Sequence, residues 1–248
     1  MHASRWNLVH ADCLTFLDSL EPGTVDVITT DPAYSGMNQH LQLGKGRIVG
    51  DYRKGEDDRW FREFRDEPEL YRAFLEACHR VMKPDGHLYI MFDSFSLLSL
   101  GSLVRERFEV KNLIVWDKQR IGMGHHFRRR HECVVFATKG RRKLSRRDLP
   151  DVWSIPRLMR PAYPTQKPVE LFRCMLAGSA GPDMVVCDPF VGSGSAAIAA
   201  LMHGCRFVGG DVSERAIAFS SRRLSLFDQT GRDPEQKPAK ELPSFLEA

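Results

Sequence analysis

Several things are missing from this 248-residue chain, and each absence excludes a class of protein. No apolar run approaches the roughly 20 residues needed to cross a bilayer, and Met1 to Asn7 lacks the apolar core of a signal peptide. No two of the six cysteines stand in CxxC spacing. Scattered in this way, they read as reduced thiols of a cytoplasmic protein, without a zinc cluster or a disulfide framework, and no metal is expected. The chain has no internal repeat. No G-x-G-x-x-G is present, because Ala197 fills the place of a third glycine, which argues against a dinucleotide-dependent oxidoreductase. No cysteine sits in a Pro-Cys turn, so no thiol nucleophile for ring-carbon chemistry is in view.

What is present is a charge asymmetry and a rhythm. The net charge is +4, yet residues 120–147 hold ten of the 36 Lys and Arg against a single acid, Glu132. Such a block suits a polyanion, or equally a solvated basic loop. Its candidate phosphate contacts are Arg128, Arg129, Arg130, Arg141, Arg142 and Lys143. Seven apolar or β-branched runs read as strands: Asn7–His10, Val25–Thr30, His87–Phe92, Val110–Asp117, Glu132–Thr138, Met184–Asp188 and Arg206–Gly210. Helical patterns fall at Cys13–Leu20, Pro68–Met82, Val169–Ala177, Ser195–His203 and Glu214–Phe227, the last with Ser213 as its cap. Alternation of this kind predicts an α/β fold with a mostly parallel, doubly wound sheet. The fourth and fifth runs have no helix between them and predict a hairpin at one edge, the only antiparallel part. One domain over 1–228 is expected, with insertions at about 35–59 and 139–163. The tail, 229–248, reads as disordered, unless Leu242, Phe245 and Leu246 dock back on the body.

Two turns carry chemistry. Val185 to Ser195 reads as strand, tight glycine turn and helix start, with Asp188, Pro189, Phe190, Gly192, Ser193 and Gly194 forming the turn. Glycines there let a ligand approach the backbone, and the helix N-terminus offers free N–H groups. Asp211 follows Gly194 by 17 residues, at the end of the next strand, where a carboxylate can bind ribose hydroxyls. Asp188 stands before the turn. It would repel a pyrophosphate and favour a cationic ligand such as S-adenosylmethionine. The second turn is Asp31-Pro32-Ala33-Tyr34, at the end of a buried strand. Asp31 and the carbonyl of Pro32 can both accept from an exocyclic amine, concentrating its lone pair, while Tyr34 offers a face for a base to stack on. Each turn alone could equally be an ordinary connection.

Together these residues resemble the β-class amino DNA methyltransferases. The family's Asp-Pro-Pro-Tyr motif stands here as Asp31-Pro32-Ala33-Tyr34. Its Phe-x-Gly-x-Gly motif follows late in the chain as Phe190-Val191-Gly192-Ser193-Gly194, and that permuted order marks the class. Pro164-Thr165-Gln166-Lys167-Pro168, His10-Ala11-Asp12-Cys13, Arg80 to Gly86 and the His131-Glu132 strand also match, so the resemblance covers about residues 5–225. It implies a Rossmann-like class I methyltransferase fold, seven-stranded with one antiparallel strand. It also implies S-adenosylmethionine as cofactor, double-stranded DNA as partner and a flipped target base. The implied cofactor site comprises Asp12, Cys13, Asp31, Lys167, Asp188, Pro189, Phe190, Gly192, Ser193, Gly194 and Asp211. Asp31, Pro32 and Tyr34 would hold the base. An Asp in first place favours N6 of adenine, with N4 of cytosine or a catalytically silent DNA-binding relative as the alternatives. Ala33 and Ser35 depart from the family's second Pro and Asn. Homodimers occur in the family, and nothing in the sequence decides that question. Segments Ser35–Arg59, Gly122–Arg130 and Arg141–Pro161 are the candidates for reading sequence.

Overall fold

The computed structural model describes residues 4–32, 65, 67–122, 126–235 and 243–246. The expected insertion at 35–59, together with Ala33, Tyr34 and Leu242, lies outside them.

Eight strands among these residues form one sheet: β1 (Trp6–His10), β2 (Val25–Thr30), β3 (Met82–Phe92), β4 (Glu109–Asp117), β5 (His131–Thr138), β6 (Val152–Ser154), β7 (Val185–Asp188) and β8 (Arg206–Asp211). Their order is β1-β8-β7-β2-β3-β5-β4-β6. All neighbouring pairs are parallel except those of β5, which is antiparallel to both β3 and β4. Two expectations change here. The sheet has an eighth strand, and the antiparallel strand lies inside the sheet. The short β6 pairs with β4 and occupies the edge.

The strands near the centre alternate between two cores, as a pleat requires. Val27, Tyr89 and Met91 face α4 (Val169–Leu176), α5 (Ser195–Met202) and α6 (Glu214–Thr230). Ile28, Leu88 and Ile90 face α1 (Cys13–Asp18), α2 (Pro68–Val81) and α3 (Ser94–Leu100). Helix α2 starts on Pro68, whose missing N–H costs nothing in a first turn. It then buries Tyr71, Phe74, Leu75, Cys78 and Val81 at helical spacing. Helix α5 is apolar and small all round and is buried on nearly every side. Caps place the helix starts at the strand tips. Asp12 accepts from Leu14 N and Thr15 N, Asp93 from Phe95 N and Ser96 N, and Ser213 from Ala216 N.

From β2 the chain moves to β3 on one side, and from β7 it moves to β8 on the other. Helix α2 follows β2 on one face, and α5 follows β7 on the other. The adjacent strands β2 and β7 therefore flank the point where the winding reverses, and a crevice opens at their carboxyl ends. The tail is anchored rather than loose where it is described. Asp233 is buried, and Phe245 packs into the core beside α6 while its carbonyl accepts from Arg146 Nη1 at 2.6 Å.

Candidate active site

An open cleft of about 610 Å³ occupies that crevice. Asp31 at the tip of β2 lines it, with Asp188, Phe190, Gly192 and Ser193 from the tip of β7 and Asp211 from β8. Tyr163, Thr165, Gln166 and Lys167 close one side. The two turns singled out in the sequence thus share one pocket. Pro32 is buried beside it, whereas Tyr34 lies outside the described residues.

The glycine turn has its shape for steric reasons. Gly192 and Gly194 stand at φ of +50° and +78°, and a side chain at Gly194 would press on Ser220 Cβ at 3.0 Å. Gly192 N donates to Asp211 Oδ2 and Ser213 N to Asp211 Oδ1, both at 2.8 Å, so the β8 carboxylate is pinned against the turn. Asp188 accepts on Oδ1 from Thr30 Oγ1 and from Phe190 N, both at 2.9 Å. Burial pushes its carboxyl up to about 7, against the pull of those two donors. Burial likewise raises Asp211, although the N–H groups of Ser213 and Gly192 oppose it. Two desolvated acids beside backbone N–H donors suit a ligand carrying both a cation and hydroxyls, so the residues fit S-adenosylmethionine.

A second cluster centres on Lys167. Its Nζ pairs with Asp31 and lies 3.7 Å from Glu132, which also binds Lys118 at 3.0 Å. Burial alone would depress the ammonium, but the charges of Asp31 and then Glu132 outweigh it and hold Lys167 high. For Asp31 the balance falls the other way. Burial raises the carboxyl, Lys167 pulls it back, and the nearby Glu132 and Asp93 charges help keep it above the usual range. Thr165 precedes Lys167 by two residues and holds φ of +64°, uncommon for a β-branched residue and the kind of strain that marks functional turns.

Beneath the glycine turn, Arg223 is buried and grips the buried Asp233 through Nε at 2.8 Å and Nη2 at 2.6 Å. Its Nη1 donates to Ser193 O at 2.9 Å and to Ser195 Oγ at 3.1 Å. Ser195 Oγ in turn donates to Lys167 O at 2.8 Å. One continuous network therefore runs from the tail, through the cofactor turn, to the residue that holds Asp31.

Several sequence-predicted residues fall elsewhere. Asp12 and Cys13 stand near the same rim, but neither lines the cleft. Asp12 spends its carboxylate on the start of α1, accepting also from Thr15 Oγ1 at 2.6 Å, and Cys13 is buried in the core. Pro189 and Gly194 shape the turn without lining the cleft. The basic block is split across the sheet. Strand β5 begins opposite Asp117 at the cleft rim and ends opposite His87 and Glu109 at the other, so Arg128 to Arg130 and Arg141 to Lys143 flank opposite ends. Arg142 belongs to the fold: it donates to Asp85 O and Ser179 O at 2.8 Å each. Glu132, Lys118, Tyr163 and Arg223 were not singled out. Glu132 had a signal, as the lone acid in the basic block at the start of an apolar strand. Arg223 had another, as a charge on the apolar stripe Ala216, Ser220, Leu224, Phe227 of α6.

Among the described residues, no group of three or more His, Cys, Asp or Glu is placed to hold a metal, and no helix is long and apolar enough to cross a membrane. The fold is shared with solved DNA methyltransferases. M1.HpyAVI in complex with SAM matches with a TM-score of 0.61 at 19% identity, covering 88% of this chain and 100% of that one. TTHA0409, a DNA modification methylase from Thermus thermophilus complexed with S-adenosyl-L-methionine, gives 0.64 at 19% over 89% and 93%. The cytosine-N4-specific PvuII DNA methyltransferase gives 0.61 at 14% over 88% and 86%. Among curated proteins, the type II methyltransferase M2.DpnII of Streptococcus pneumoniae is 27% identical over 245 residues, covering 90% of this chain and 91% of its own. M2.LlaDCHI of Lactococcus lactis subsp. cremoris is 26% identical over 240 residues, covering 88% of each. Residues 25–222, which span the cleft from Asp31 to Asp211, match the DNA methylase family, and the chain belongs to it: it is a DNA methyltransferase.

Proposed function

We propose that the enzyme methylates the exocyclic N6 amino group of adenine in double-stranded DNA, using S-adenosylmethionine, with the target base turned out of the stack. The observation that carries this reading is the sharing of one cleft by Asp31 and the Asp188–Asp211 turn, on adjacent strand tips. An amine can be held there beside a bound cation. When bound, S-adenosylmethionine supplies an electrophilic methyl group on a sulfonium. Asp188 offers its carboxylate to the cationic part of the cofactor, and Asp211, pinned by Gly192 N and Ser213 N, offers acceptors to the ribose. Asp31 and the Pro32 carbonyl accept the two amino N–H groups of the base, which turns the nitrogen lone pair away from the ring. Methylation at nitrogen leaves one proton too many, and the raised carboxyl of Asp31 is suited to take it. Lys167, held by Glu132, keeps Asp31 in place for both tasks. Arg128 to Arg130, at the cleft rim, are the phosphate contacts of this reading.

The test is transfer from tritiated cofactor to unmethylated DNA, followed by digestion and identification of the labelled nucleoside. N6-methyladenosine in its deoxy form is expected. Label in N4-methylcytosine would correct the base, and no label would overturn the reading. Asp31→Ala is expected to lower transfer about 100-fold or more while cofactor binding by calorimetry stays near that of the parent.

A further inference from the structure

We propose that the turn joining β4 and β5 is a wedge that opens the DNA stack, with the ring of Phe127 entering the helix where the target base leaves. The proposal rests on the base-flipping reading above. Phe127 is 103% exposed, more than any other large apolar side chain among the described residues. A lone exposed apolar residue is ordinary on a surface. This one differs because everything around it is tied down and positively charged.

The hairpin continues past the last sheet pair, Asp117 with His131. Lys118 N donates to Arg130 O at 2.9 Å and Gly122 N to Arg129 O at 2.7 Å, so the turn projects beyond the cleft rim. Arg130 grips Asp117 through Nε at 2.6 Å and Nη2 at 2.7 Å. Arg128 Nε donates to Gly122 O at 2.7 Å. The Arg129 guanidinium lies 5.0 Å from the centre of the Phe95 ring, and its Nη1 has no hydrogen-bond partner among the described residues. The hairpin is thus braced at its base, and Phe127 is presented at its end with Ile121, also exposed, in the same turn.

The position matches the task. Strand β5 begins with His131 and Glu132, and Glu132 reaches the Lys167 that holds Asp31. Phe127 precedes Glu132 by five residues, at most about 17 Å of extended chain. The occupant is DNA rather than a second copy of this chain. Arg120, Arg128, Arg129 and Arg130 surround the ring, with Asp117 as the acid paired to them, and two such turns would repel one another. An aromatic face between cations suits stacked bases between phosphates, and apolar side chains that enter a base step unstack it.

The experiment compares Phe127→Ala and Phe127→Trp on two duplexes of the same sequence, with a site mapped by modified-base sequencing. In one duplex the target base is paired. In the other it faces an abasic position and needs little opening. On the paired duplex, Phe127→Ala is expected to lose about tenfold in kcat/KM while Phe127→Trp stays within about threefold. On the abasic duplex, both variants are expected to match the parent. Equal loss on the two duplexes, or no loss on either, would overturn the wedge. So would light scattering that shows the parent as a dimer and Phe127→Ala as a monomer. If the parent labels neither duplex, it is the methyltransferase reading of the cleft that fails instead.

Discussion

The two rims of the sheet carry the same residue types and use them in opposite ways. At the rim away from the cleft, charge is absorbed into the fold. Arg142 donates to the carbonyls of Asp85 and Ser179, Lys139 Nζ to those of His79 and Met82, and Lys83 pairs with Asp26. His87 there bonds Ser179 Oγ at 2.7 Å, and burial holds its pKa down to about 4, so the ring stays neutral. At the cleft rim the carboxyls are pushed the other way. Asp31, Asp188 and Asp211 are all raised by burial while lining open space. Buried groups with complete partners stabilise a fold. Buried carboxyls whose partners leave them raised are held ready for a ligand that completes them.

The largest test of this contrast concerns the buried pair beneath the glycine turn. Asp233→Asn or Arg223→Met strands a buried charge, and a loss of about 3–5 kcal/mol in chemical denaturation is expected. Because Arg223 also holds Ser193 O and Ser195 Oγ, Arg223→Lys is expected to raise KM for the cofactor more than it lowers kcat. An unchanged KM in a folded Arg223→Lys protein would make the pair purely structural.

A middle-sized effect should appear in pH. The Asp188 carboxyl stands at about 7 in the folded chain, against an aspartate in the unfolded chain at ~4. Between those values the folded state binds more protons than the unfolded one, so stability of the cofactor-free protein falls as pH rises through that window. Asp188→Asn is therefore expected to raise the melting temperature at pH 8 relative to the parent and to change it little at pH 4. Cofactor affinity in the parent should strengthen with pH up to about 7, by at most about tenfold per unit, and then level off. That rise should vanish in Asp188→Asn. A flat parent profile would remove Asp188 from the cationic part of the site.

The smallest effects separate the two halves of the basic block. Arg142→Ala should cost about 1–3 kcal/mol of stability and leave the salt dependence of DNA binding unchanged. Arg128→Ala should leave the melting temperature alone and reduce the slope of log affinity against log salt by about 0.9. Exchange of these two outcomes would mean that DNA lies along the other rim.

Much of this was legible in the chain. The seven strands read from apolar runs all form, because a strand buried on both faces must be apolar throughout, as in Val25–Thr30. The glycine turn and the Asp31 turn were visible because each needs residue types that few other structures tolerate. Helix α3 was missed because Ser94 to Leu100 mixes serine and leucine without a clear stripe, and the cap at Asp93 was its one signal. Strand β6 was missed because three residues between basic and proline-rich stretches carry no period.

By itself the sequence determined which segments are strands and helices and which two turns bear chemistry, since periodicity and side-chain type are local properties. The tertiary structure alone decided that β5 inserts between β3 and β4, which sends one basic block to two ends of the molecule. It also decided that Glu132, Lys167 and Asp31 meet, and that Asp233 lies beneath the glycine turn. Those facts depend on which strands lie side by side, and pairing between residues far apart along the chain leaves no local trace in either partner.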